Sequence, residues 1–269
     1  MSTPKNKDDV INNKKEAIRE LNNLLERYIC EQSAEHLKKA DLISYWIKDY
    51  SRMILREDTI NSKKFHSFKR GSVVKLHFGF NPGAEYGGLH YGIVLDKKDR
   101  PINPVLTVVP LTSCKDESKV HSNNIYLGNE IYTCVENKFR NLKQQTLTKY
   151  EELNSLICTL QENVATIEEL VLNSDESKTK ELLESNKILL SDAEQKRAAL
   201  KKEQELANKI MLELNHMKQG SVAIINQVTT VSKLRVYDPK SSSDVLSNVV
   251  ISKANIQRIN DKLKDLYIF

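Results

Sequence analysis

Glycine and proline are scarce in this 269-residue chain, at 8 and 6 residues, and neither occurs between residues 129 and 219. A stretch of that length without helix breakers excludes a loop-rich fold there and points to long helices. Cysteine is as sparse. Cys30, Cys114, Cys134 and Cys158 form no CxxC pair, which excludes a zinc knuckle or a disulfide framework and leaves four reduced thiols. No apolar run approaches the ~18 residues of a membrane span, and the N-terminus MSTPKNKDDV lacks the apolar core of a signal peptide, so a cytoplasmic protein without membrane contact is expected. No large charge of one sign is present either. A net charge of +5 permits an anionic partner without demanding one, so a local patch must carry that argument.

What is present divides the chain into four segments. Over residues 1–62 apolar side chains recur at helical spacing, Ile11, Ile18, Leu21, Leu25 and Tyr28 and then Leu37, Leu42, Ile43, Trp46, Tyr50 and Met53. This predicts two N-terminal helices that break near Gln32 and Ser33, with their apolar stripes buried on whatever follows. Over 63–133 the period changes to two. Val74, Leu76 and Phe78 alternate with Val73, Lys75 and His77, and GIVLDKK, VLTVVPL and the weaker NNIYLG follow between turn residues such as Asp99 and Pro101. Over 134–218 heptad steps run from Tyr150 to Val171, pause at LNSDESK (172–178) and resume from Leu182 to Met217, which predicts an antiparallel helical hairpin ended by Gly220. Over 219–269 a strand pattern returns in SVAIINQVTTVSKLRVY and gives way to an amphipathic helix carrying Ile256, Ile259, Leu263 and Leu266. One strand and one helix cannot make a core alone, so the expected fold is α+β, a small antiparallel barrel interrupted by the hairpin.

The stretch KRGSVVKLHFGFNPGAEYGGLHYGIVL followed by VLTVVPLTS resembles the opening of MazF/PemK-type toxins of type II toxin-antitoxin systems. There RGD[IV] opens a strand, G-S-E-Q-G-G-x-R-P forms a loop and a later strand ends in Thr. Gly83, Glu85, Gly87 and Gly88 match the loop and Thr112 the terminal Thr, while Gln227, Ser232, Lys233 and Arg235 stand where the family has a closing strand and turn. The resemblance covers about 110 residues. It departs at His90, where the family has its catalytic Arg, at Ser72 in place of an acid and at Tyr86 in place of Gln. The resemblance implies an SH3-like (MazF/CcdB-like) barrel that acts as a homodimeric, metal-independent endoribonuclease, an mRNA interferase needing no cofactor and restrained by a cognate antitoxin.

Metal-free cleavage of single-stranded RNA needs a base for the 2′-hydroxyl, an acid for the leaving 5′-oxygen and donors for the phosphorane oxygens. His90 titrates in the right range to be base or acid, Thr112 offers a hydroxyl at a strand end, and Glu85 can assist. Lys69, Arg70, Lys75, His77, Tyr86, Gly87, Gly88 and Ser113 are candidates for RNA contact through charge, stacking, close backbone approach or a hydroxyl. Each has a plainer alternative: His90 packed in the loop, Glu85 bracing it, the glycines forming a tight hairpin, Thr112 and Ser113 capping a turn, the cations solvated. A non-catalytic module whose barrel binds RNA or protein and whose hairpin is a spacer or mediates oligomerisation or partner binding is the competing function. A gyrase poison of the CcdB type rests on fold kinship alone, since those proteins end Trp-Gly-Ile and this chain ends LYIF.

Overall fold

The structure, a computed structural model, describes residues 6–31, 33–59 and 65–268. Gln32, the segment 60–64 and Phe269 lie outside the described residues, so the expected break between the N-terminal helices is seen only from Ser33 onward. There the Ser33 hydroxyl accepts the His36 amide at 3.1 Å and starts α2 (Ala34–Glu57), after α1 (Lys7–Cys30). The α+β class holds, with five helices and a seven-stranded antiparallel sheet among the described residues.

The strands are β1 (Val73–His77), β2 (Leu89–Val94), β3 (Val105–Ser113), β4 (Ile125–Gly128), β5 (Ser221–Ala223), β6 (Thr229–Ser232) and β7 (Val236–Asp238). Their order is β4-β5-β3-β2-β1-β7, with β6 also on β3. No pairing joins the outer strands β4 and β7, so the sheet is open, where a closed barrel was expected.

Strand β3 organises this sheet. On one side Pro110 to Val108 pair with Gly92 to Val94 of β2; on the other, Leu111 faces Ala223 and Val108 faces Thr229. Thus β5 and β6 form one interrupted strand: three steps along β3 correspond to six along its partner. The surplus is taken up by a single turn of 3-10 helix, Ile225–Gln227, which pushes Gln227 out of the ladder.

Both faces of the central strands are covered, which the alternation in VVKLH did not disclose. Val73 and Val74 point opposite ways and each is 0% exposed. Val74, Leu76 and Phe78 join Leu106, Val108 and Val231 in the concave core. Val73 joins a larger core built with Ile131, Val135 and Ile210 of the hairpin and Ile259 of the C-terminal helix α5 (Lys253–Tyr267).

The hairpin is α3 (Glu130–Leu172) and α4 (Glu176–His216), each about 60 Å long at 1.5 Å per residue. It leaves the sheet after β4 and returns before β5, which are neighbours in that sheet. Helix α4 stops at His216, before the expected Gly220. That glycine instead closes the feet of the hairpin: its amide donates to Asn129 Oδ1 at 2.8 Å and its carbonyl accepts from Cys114 at 2.8 Å. The N-terminal helices differ from expectation as well. Helix α1 has no buried residue and packs on α2, which buries Ala40 and Ile43 and meets the sheet where Trp46 stacks on His77. No helix among the described residues is long and apolar enough to cross a membrane.

At Gly220 φ is +76° and an added Cβ would stand 1.9 Å from the Cys114 carbonyl oxygen. Gly220→Ala is therefore expected to lower the unfolding free energy by about 2–5 kcal/mol through left-handed strain and overlap with backbone, read by urea denaturation. A smaller loss would mean that the feet of the hairpin separate freely.

Candidate active site

The loop between β1 and β2 is held from within. The Phe78 amide donates to Gly88 O at 2.8 Å and the Gly88 amide to Gly79 O at 2.7 Å. Asn81 Nδ2 donates to Tyr86 O at 2.8 Å. Gly88 sits at φ +87°, and a Cβ on Gly87 would come within 2.9 Å of Gly79 O, so both glycines are needed for the loop to cross over itself. The displaced Gln227 completes the brace, accepting the Tyr86 amide and donating to Ala84 O, both at 3.3 Å.

That loop sets the Tyr86 ring between two expected catalytic residues. Its phenol donates to Leu111 O beside the Thr112 hydroxyl, and its ring centroid lies 4.9 Å from that of His90 and 5.2 Å from that of Phe78. Burial pushes the phenol up to about 12, with the Thr112 hydrogen bond working the other way, so Tyr86 stays protonated at neutral pH and remains a donor. His90 is open to solvent on one side. Its packing in the loop lowers its pKa, and the ammonium of Lys218 adds to the effect, so the imidazole is neutral at neutral pH. A neutral imidazole is the form that accepts a proton.

Glu85 lies on the other side of Tyr86. It rims a polar cleft of about 440 Å³ lined also by Asn81, Gln227, Thr230, Ser232 and Arg235. Arg235 is fixed there, its Nη1 donating to Phe78 O at 3.0 Å and its guanidinium 5.2 Å from the Trp46 ring centroid.

The other expected contacts scatter. His77 accepts the Gly79 amide at 3.0 Å and stacks on Trp46 of α2 at 4.5 Å, which leaves its ring half-buried. Its pKa falls, first through burial and then through Arg235 and His90, against an upward pull from Asp49. Lys75 shares the face of Val73, where α4 lies, and its ammonium is held by Glu213 at 2.6 and 2.9 Å, with the Tyr91 hydroxyl donating to the same carboxylate. Lys69 and Arg70 stand at the far end of β1, Arg70 bonded to Asn260 of α5. Thr112 and Ser113 are exposed at the end of β3, paired with Val222 and Ser221.

Lys218 and Asn81 had no sequence signal, and Arg235 was legible only as part of the family pattern. Lys233 of the same pattern is not at the surface: its ammonium is buried against Asp99 at 2.8 Å. No group of three or more His, Cys, Asp or Glu side chains able to hold a metal lies among the described residues. No protein-family model matches the chain, and no curated protein matches it significantly.

Removing the Gln227 side-chain amide tests how the loop is held. Gln227→Leu is expected to raise amide exchange of residues 84–88 about tenfold, one hydrogen bond's worth of ~1–1.5 kcal/mol, and to leave β1 and β3 protected. Unchanged exchange would assign the loop's order to Asn81 and the glycines alone.

Proposed function

We propose that the protein is a metal-independent endoribonuclease of the mRNA interferase kind, acting on single-stranded RNA, and that its curled open sheet is a variant of the SH3-like barrel. The observation that carries this reading is Tyr86, which lies against His90 and Thr112 and also lines the polar cleft, on a loop that has the family's glycines and acid.

One nucleotide occupies the polar cleft, with Asn81, Gln227 and Thr230 for its base edge and Arg235 for a phosphate. The next phosphodiester crosses Tyr86 towards His90. Neutral His90 takes the proton of the 2′-hydroxyl, and the freed oxygen attacks the adjacent phosphorus. The 5′-oxygen bond breaks and that oxygen takes a proton from solvent, to which His90 is open, leaving a 2′,3′-cyclic phosphate on one fragment and a 5′-hydroxyl on the other. Thr112 is a hydroxyl donor beside the path, Tyr86, whose proton is held by Leu111 O, offers its ring as a surface, and Lys218 brings to His90 a positive charge of the sort that the family's Arg provides. Glu85 borders the cleft and is available to orient a sugar hydroxyl.

Incubated with long single-stranded RNA in EDTA, the protein is expected to yield discrete fragments with cyclic phosphate ends, and His90→Ala to cut about 10²–10⁴-fold more slowly. The acidic limb of kcat/KM should lie below the ordinary imidazole value of about 6.5, because burial and Lys218 both favour the neutral ring. Lys218→Met removes a cation that opposes protonation, so it should move this limb to higher pH. RNA that is bound but left intact would favour the non-catalytic module; ends bearing 5′-phosphate would overturn the mechanism.

A further inference from the structure

Helix α2 places Asp49, Arg52, Met53 and Arg56 on one face by their three- and four-residue spacing. That face borders β7, the outer strand of the sheet, across a second cleft of about 290 Å³. Into it also turn Arg235, His77, Tyr237 and Lys240. Four permanent cations thus face a single carboxylate, Asp49, which lies 3.3 Å from Arg52. Walls of low polarisability concentrate such a field and favour a polyanion over bulk salt.

Three features separate this cluster from an ordinary solvated surface. Arg235 lines both clefts and is anchored by Phe78 O and by Trp46 of α2, so one immobile guanidinium stands in the wall between them. Tyr237 is 65% exposed, with the Lys240 ammonium 5.5 Å from its ring centroid: a flat aromatic beside a cation, as in the stacking platforms of single-strand binders. Finally, the neighbouring Lys233 is neutralised by Asp99, so its charge does not compete for a ligand in the cleft.

We infer that α2 forms the second half of the nucleic-acid surface, so that RNA leaving the polar cleft passes Arg235 and lays its next phosphates on Arg52, Arg56 and Lys240, with a base on Tyr237. This rests on the ribonuclease reading. The N-terminal helix is then a determinant of affinity for flanking nucleotides, and RNA that ends at the polar cleft binds more weakly than RNA that reaches α2.

The test uses full-length protein carrying His90→Ala, which prevents turnover, and fluorescence anisotropy with a labelled single-stranded RNA of mixed sequence. Adding Arg52→Gln and Arg56→Gln is expected to raise Kd about tenfold and to flatten the slope of log K against log salt by about 0.7 for each phosphate no longer neutralised. Tyr237→Ala should weaken binding about fivefold or more without altering that slope. Lys201→Gln with Lys202→Gln, exposed on the hairpin, removes equal charge and should change neither. Equal weakening in the arginine and hairpin variants would overturn the inference, and tighter binding by the arginine variant would too, by making α2 a cover. If the His90→Ala protein binds no RNA at all, the ribonuclease reading falls first and takes this inference with it.

Discussion

A single buried ion pair fixes the parts of this protein that matter most. Lys233 is 2% exposed and Asp99 0% at their side chains, and the Lys233 ammonium also donates to the carbonyls of His66 and Arg100 at 3.1 Å. Asp99 takes the Phe68 amide at 2.9 Å as well. Charges withdrawn so fully from water are tolerable only when paired and hydrogen-bonded, so removing one partner would leave the other stranded. The pair gathers the approach to β1, the connection between β2 and β3, and the short 3-10 turn Lys233–Arg235 into one knot. Arg235 is two residues from that knot, so the guanidinium shared by the two clefts inherits its position from a contact made in the interior.

The turn 233–235 therefore does two jobs. Of Lys233 and Arg235, two apart in the chain, one is internal scaffolding and the other faces solvent. Chemical type cannot tell them apart, and a pattern that contains both does not say which is which.

The hairpin was legible because heptad spacing and the absence of glycine and proline are local signals, and α5 because its apolar stripe survives intact into the core. The sheet was legible in its strands and not in its closure. VVKLH alternates as a half-exposed strand would, yet Val73 and Lys75 face the base of the hairpin, whose α4 foot is more than 130 residues away in the chain, so Lys75 meets Glu213 and no open groove. The candidate site shows the same division. His90, Thr112, Glu85 and the glycines lie in recognisable stretches, whereas the brace that Gln227 gives to Tyr86 depends on a three-residue surplus beside β3, and Lys218's approach on the return of the hairpin, neither of which a local pattern records.

The geometry of the hairpin has a mechanical side. Glu213 is three residues from the end of α4, about 4.5 Å from the foot, while the tip is about 60 Å away. The contact with Lys75 therefore lies at the foot of the arm, close to where the Asn129–Gly220 hydrogen bond closes it. Displacement of that foot is passed by Glu213 to Lys75, one residue removed along β1 from Leu76 and two from His77.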